Sequence, residues 1–153
     1  MIAAPELDYL FSYTADLEQP QQLVAAPAGL RMIAKVMGGR VSGPRLTGEV
    51  LPGGGDWAVI DEQSTLRLDA RLTIRSEDGA LIYVSYRGVM TPVDPDTVAR
   101  AIEGKLKPGE LYFRTTPIFE TGDERYGWLN TQVAVAVGNL GAAGVSYDVF
   151  GVR

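Results

Sequence analysis

The chain is predicted to be all-β, an antiparallel closed barrel of about eight to ten strands, lipocalin-like in shape, with one short helix near residues 94–104. Three observations carry this reading. Apolar and polar residues alternate with a period of two over most of the chain. Eighteen glycines and nine prolines cut it into short runs. Only one stretch carries the caps of a helix. A barrel is preferred to a sandwich because closure removes exposed strand edges.

The elements follow in order. In Glu6–Asp16, residues Leu7, Tyr9, Phe11, Tyr13 and Ala15 share one face. Strands are expected at Leu30–Val36, Arg45–Val50 and Asp56–Ile60, separated by Gly38-Gly39, Gly43-Pro44 and Pro52-Gly53-Gly54-Gly55. Leu66–Arg75 is the clearest strand: Leu66, Leu68, Ala70, Leu72 and Ile74 alternate with Arg67, Asp69, Arg71, Thr73 and Arg75. Ser76-Glu77-Asp78-Gly79 then turns the chain, with Gly79 free to take positive φ, and Leu81–Met90 returns as the hairpin partner. Asp94–Gly104 is the helix, with Asp94 or Asp96 as N-cap, Pro95 in the first turn and Gly104 at the end. Its few apolar residues, Val98, Ala101 and Ile102, suit a lid or plug. Glu110–Phe119, Trp128–Val137 and Val145–Val152 complete the strands. With no linker, repeat or low-complexity tract, residues 1–153 are expected to form a single domain.

Composition excludes whole classes of function. The net charge is −5, and the eleven arginines and three lysines are scattered, so neither nucleic acid nor an anionic membrane surface is an expected partner. No run approaches the roughly 20 apolar residues that span a bilayer. The N-terminus, MIAAPELDYLF, has no basic and apolar leader pattern, so a cytoplasmic location is the expectation. There is no histidine and no cysteine. That removes the imidazole base, the Ser-His-Asp triad, the thiolate nucleophile and the disulfide scaffold. It also makes a metal site improbable, since carboxylates alone would have to build it. Catalysis would have to use Asp, Glu, Tyr, Lys, Arg or backbone groups.

The densest chemistry lies in Tyr112–Asn130, YFRTTPIFETGDERYGWLN. The alternation puts Tyr112, Arg114, Thr116, Ile118 and Glu120 on one face, and Phe113, Thr115, Pro117 and Phe119 on the other. Trp128 and Asn130 share a face of the next expected strand. Arg114, Asn130 and Tyr112 suit the grip of a carboxylate or a developing enolate, with Glu120 as a reserve base. The plainer reading pairs Arg114 with Glu120 or Asp123 on the surface and leaves Trp128 as core. Asp56, beside Trp57 and after three glycines, is the leading candidate for a general base, because an apolar neighbour raises a carboxyl pKa. Its plainer role is to bond a backbone N–H, with Trp57 filling the barrel end. Asp69 and Arg71 meet Tyr83 or Tyr86 if their face points inward, and form a surface ladder of charge pairs if it points outward. Tyr83 and Tyr126 are further hydrogen-bond donors. Pro52–Gly55 is no phosphate loop, since the lysine, the Ser/Thr and the following helix are missing.

Taken together, Gly53-Gly54-Gly55-Asp56-Trp57, Leu68-Asp69-Ala70-Arg71, Asp78–Val84, Tyr112-Phe113-Arg114-Thr115 and Trp128-Leu129-Asn130 resemble the DUF3237 family, also called UPF0311, over roughly residues 5 to 150. The resemblance implies a β-barrel and sets Arg114 and Asn130 within the family's pattern. It carries no general biochemical function, and so no catalytic role.

The expectation is a small-molecule-binding barrel acting as a cofactor-independent enzyme on a partly apolar carbonyl compound, of isomerase, cyclase or lyase type. Asp56, Asp69 or Glu120 would move a proton, Arg114 and Asn130 would hold the oxyanion, and Trp57, Arg71, Tyr83, Tyr112, Tyr126 and Trp128 would bind the ligand. The alternatives are a ligand-binding barrel without chemistry and a structural protein filled by its own side chains. No cofactor and no metal are expected. A homodimer is the assembly expected on general grounds.

Overall fold

Ten strands form one continuous antiparallel sheet in a computed structural model that describes residues 1–153. The strands are β1 (Leu7–Leu17), β2 (Gln21–Ala26), β3 (Gly29–Ser42), β4 (Gly48–Val50), β5 (Gly55–Ile60), β6 (Leu66–Ser76), β7 (Leu81–Thr91), β8 (Tyr112–Glu120), β9 (Ala134–Leu140) and β10 (Gly144–Val152). Helix α1 (Pro95–Ile102) links β7 to β8, and a 3-10 helix, Glu124–Thr131, links β8 to β9. Because β1 pairs with both β10 and β3, the sheet closes on itself. β4 and β5 share the position between β3 and β6, which gives a closed eight-position barrel.

The face that points inward is set by burial. Leu68, Ala70, Leu72 and Ile74 of β6 and Ile82, Val84, Tyr86 and Met90 of β7 are buried, while the arginines between them face out. Each large aliphatic side chain contributes about 1.5–3 kcal/mol when buried, against tenths for a surface ion pair, so the apolar face wins the interior. The same rule turns Phe113, Thr115 and Phe119 of β8 inward and leaves Tyr112, Arg114, Thr116, Ile118 and Glu120 outside.

Four expectations need correction. β2 is a strand although Gln21–Ala26 lacks alternation; it pairs only with the first half of β3 and is nearly all exposed. β3 runs through Gly38-Gly39 instead of breaking there. A Cβ on Gly39 would lie 1.9 Å from the Thr14 carbonyl oxygen, so glycine is what lets β3 cross β1 closely. In β1 a bulge puts Leu10 and Phe11 both inside and leaves Leu7 and Tyr9 exposed. Trp128–Asn130 is not strand. The Asp123 side chain accepts from the Arg125 N–H at 3.0 Å and starts a 3-10 helix that delays β9 to Ala134.

The two ends of the barrel differ. The 3-10 helix plugs one end with Leu129, which is 1% exposed, and with Trp128 behind it. Over the other lies α1, capped by Asp94, whose carboxylate accepts from the Thr97 N–H at 3.0 Å. Neither helix is long and apolar enough to cross a membrane.

Candidate functional site

Beneath α1 the barrel interior opens into a cavity of about 430 Å³. Leu30, Met32, Leu68, Met90 and Val145 supply much of its apolar wall, and Val93, Val98 and Ile102 roof it from α1 and the segment before it. Glu18 and Gln22 also border it, and Asp56, Tyr86 and Tyr147 line it. An apolar cavity with a few convergent polar groups is the ordinary form of a small-molecule site.

Asp56 is placed by β5. Its strand neighbours are Ala34 of β3 and Ala70 of β6, and it shares the cavity side with Ala58 and Ile60. The glycines before it matter: a Cβ on Gly54 would lie 2.4 Å from the Arg71 carbonyl oxygen, so only glycine lets the loop close onto β6. The Asp56 Oδ1 accepts a hydrogen bond from the Asp69 N–H at 2.9 Å. The carboxyl is half-buried and its pKa is raised from the ordinary value to about 6. Burial is the largest cause; the Asp69 N–H opposes it, and the Asp69 charge adds to it. The group is thus poised between acid and base near neutral pH.

Tyr86 and Tyr147 line the same cavity, and Tyr13 packs against both. Tyr13 and Tyr147 are register partners on β1 and β10, with ring centroids 4.9 Å apart, and Tyr86 reaches them from β7 with centroids 6.4 and 5.2 Å away. The Tyr13 and Tyr147 hydroxyls are fully buried and find no hydrogen-bond partner within the protein. The Tyr86 hydroxyl is near enough to both to couple their ionisation without completing a hydrogen bond of ordinary geometry. Burial pushes all three phenols up, so they are protonated donors at neutral pH.

Of the catalytic and ligand-binding candidates from the sequence, Asp56 alone lines this cavity; Tyr86, named there only as a possible partner of Asp69 and Arg71, lines it too. Trp57, one residue on, points the other way, under the Arg71 guanidinium at 5.6 Å. It does not fill the barrel end. Asp69 and Arg71 are an outward ladder, with Asp69 3.6 Å from Arg71 and 3.9 Å from Arg87. Arg114 stacks on Tyr112 at 4.9 Å outside the barrel and donates to the Phe113 carbonyl oxygen at 2.9 Å. It pairs with neither Glu120 nor Asp123. An open groove of about 650 Å³ runs there, past Arg67 and Arg87. Glu120, Asn130 and Tyr83 do meet, in a shallow outer depression of about 320 Å³. Asn130 is occupied in joining the 3-10 helix to the loop, accepting from the Thr121 N–H at 2.8 Å and donating to its carbonyl oxygen at 2.9 Å. Tyr126 donates to Asp78 at 2.9 Å in the β6–β7 turn, and Trp128 lies 4.0 Å from the Arg45 guanidinium.

The reason for these misplacements is common: a strand face rich in hydrogen-bonding groups is the face a small barrel turns to water. The sequence reading did not single out Tyr147 or Tyr13 as site residues. The signal was a hydroxyl on the otherwise apolar face of a strand. No three acidic side chains gather in a way that would hold a metal ion.

Comparison with known proteins agrees with this architecture. A family model described as a protein of unknown function, DUF3237, matches residues 5–152. A UPF0311 protein of Bradyrhizobium diazoefficiens is 36% identical over 154 residues, covering 95% of this chain and 96% of its own. The crystal structure of a conserved protein of unknown function from Rhodopseudomonas palustris is 31% identical, with a TM-score of 0.90 over 99% of this chain and 100% of that one. More distantly, a hydroalkoxylation enzyme of Penicillium herquei is 25% identical over 130 residues, 85% of this chain and 72% of the enzyme. The chain belongs to the DUF3237 family, and its barrel is distantly related to an enzyme.

Proposed function

We propose that this member of the DUF3237 family is an enzyme that takes a partly apolar small molecule into the α1-covered end of the barrel and moves a proton on it with Asp56. The observation that carries the reading is a half-buried carboxyl, its pKa raised to about 6, at the wall of a cavity that is otherwise mostly apolar. The hydrogen bond from the Asp69 N–H gives the carboxyl a structural role, but that role does not call for an apolar cavity beside it. A general acid or base gains a pKa close to the working pH and an environment in which electrostatic effects are strong.

The distant likeness to a hydroalkoxylation enzyme supports the cyclase form of this chemistry. In that reaction a hydroxyl adds across a carbon–carbon double bond. The O–H bond and the π bond break, and a C–O and a C–H bond form. Asp56 would give its proton to carbon and receive the hydroxyl proton, ending as it began. The same group serves an isomerase acting on an enolisable ketone, where it takes a proton from one carbon and returns it to another.

The test is deuterium uptake or ring closure, followed by NMR in heavy water, over a set of hydroxy-alkenes and enolisable ketones of a size to fit the cavity. We expect a compound that the wild type turns over and that Asp56→Asn binds but converts about 10²–10⁴-fold more slowly. Full activity in Asp56→Asn would sink the reading. Tight binding across the set with no exchange and no product would favour a carrier without chemistry.

A further inference from the structure

The Tyr147 and Tyr13 hydroxyls are an unused resource. A buried donor without a partner is costly, and native proteins pair nearly all such groups. Here two lie side by side, 1% exposed in both residues, with no partner within the protein, and one of them belongs to a residue that lines the cavity. Packing does not require them: phenylalanine would fill the same space, and Phe113 in fact packs edge-on against Tyr147 at 5.3 Å. The neighbouring Tyr86 oxygen does not meet either hydroxyl in ordinary hydrogen-bond geometry, and the Asp56 Oδ1 accepts from the Asp69 N–H.

We propose that Tyr147 and Tyr86, backed by Tyr13, form a donor site for the oxygen of an enolate, a phenolate or a carbonyl, and that the ligand is therefore an enol, a phenol or an enolisable ketone with an apolar body. The inference rests on the cavity being the reaction site, as proposed above, and it adds the identity of the group the ligand must carry. Tyr86 of β7 and Tyr147 of β10 both line the cavity, their ring centroids 5.2 Å apart, so an oxygen entering from the α1 side comes up against this pair. Tyr13, which does not line the cavity, packs against both rings and holds Tyr86 and Tyr147 in place. Fixed donors of this kind favour the oxygen most when it carries negative charge, since they need no reorganisation as charge develops. The apolar walls suit the rest of the molecule, and Asp56 lines the same cavity.

The probe is a nitrophenol at a pH where it is ionised, its binding read from the shift of its visible absorbance and titrated against wild type, Tyr147→Phe, Tyr86→Phe, Tyr83→Phe and Asp56→Asn. Wild type is expected to bind it. Tyr147→Phe and Tyr86→Phe are each expected to weaken binding about tenfold or more, the effect of losing a hydrogen bond to a charged group. Tyr83→Phe, on the outer face and 40% exposed, should leave it unchanged. Asp56→Asn should bind more tightly, because a neighbouring negative charge is gone. The empty Tyr147→Phe protein should melt no lower than wild type, since the deleted hydroxyl has no partner to lose. No binding by wild type, equal binding by Tyr147→Phe, or a marked loss of melting temperature in that variant overturns the proposal. It fails separately from the proton-transfer reading: Tyr147-dependent binding with full turnover in Asp56→Asn removes the role of Asp56 and leaves the oxygen site standing.

Discussion

The outer face of β6, β7 and β8 and the α1-covered end of the barrel interior make opposite use of polar residues. The outer face carries Arg67, Arg71, Arg87, Arg114, Asp69 and Tyr112, and its charges are met by one another and by water. In the interior cavity Asp56, Tyr86 and Tyr147 stand among aliphatic side chains, with Glu18 and Gln22 at its border. Water and mobile counter-charges screen the first set, so each pair contributes at most about 1 kcal/mol and holds its members loosely. The second set is few, but desolvation changes its acid–base properties: the Asp56 carboxyl is raised to about 6 and the phenols are pushed well up. A site is better located by the environment of a polar group than by the number of such groups.

That contrast has a measurable edge in the pH dependence of stability, where the largest effect is expected. Folded Asp56 keeps its proton up to about pH 6, whereas the unfolded carboxyl, with its ordinary value of 3.8, has already lost it. Between those values the folded chain binds the extra proton, so stability falls as pH rises and levels off above 6. At about 1.4 kcal/mol per pH unit the fall is at most about 3 kcal/mol. Asp78, Asp94, Asp123 and Glu110, whose carboxyls are held below their usual range by hydrogen bonds, act in the opposite sense. They are common to both proteins, so they cancel when wild type is compared with Asp56→Asn. Urea unfolding across pH 4–7 should show wild type losing ground to that variant through the window and holding steady beyond it. A constant difference would mean that Asp56 is solvated like the outer carboxylates, and the contrast would collapse.

How much of this was legible beforehand follows the same physics. The β6–β7 hairpin could be read in full, because Leu68, Ala70, Leu72 and Ile74 alternate with charged or polar residues and a turn with Gly79 at φ +90° sets the register. α1 was legible from Asp94, Pro95 and Gly104. β2 was not, since an edge strand that buries almost nothing leaves no alternation. Asp56 could be found because it stands out after three glycines. The three tyrosines could not be grouped, since residues 13, 86 and 147 come from β1, β7 and β10 and meet only when the sheet closes. Arg114 and Asn130 misled for the reverse reason: they are close in sequence and rich in donors, but one lies outside the barrel and the other ties a loop.

Trp57 and Asp56 compare the two environments across one peptide bond. Trp57→Ala removes a ring 40% exposed and its contact with Arg71, and should cost about 1 kcal/mol. It should leave the pH dependence between 4 and 6 as in wild type, since the Asp56 carboxyl bonds to the Asp69 N–H and not to the ring. Urea titrations of Trp57→Ala at both ends of that window check this. A flattened pH dependence would show that the outer ring is part of what desolvates the carboxyl, and that β5 does not separate its two faces.

Arg114→Ala is the smallest change expected and the most direct comparison of the two regions. The side chain gives up one hydrogen bond to its neighbour's carbonyl oxygen and a stack on the half-exposed Tyr112 ring. Exposed contacts of this kind fall within about 0.5 kcal/mol. Stability in urea and turnover of any compound that Asp56→Asn fails to convert should both match wild type. If Arg114→Ala instead abolished turnover at unchanged stability, the open outer groove with Arg67 and Arg87 would be the reaction site, because no reorientation of one side chain brings Arg114 through a closed sheet to the cavity. Closure of the barrel is what makes the two regions exclusive, so a single substitution on each side is enough to choose between them.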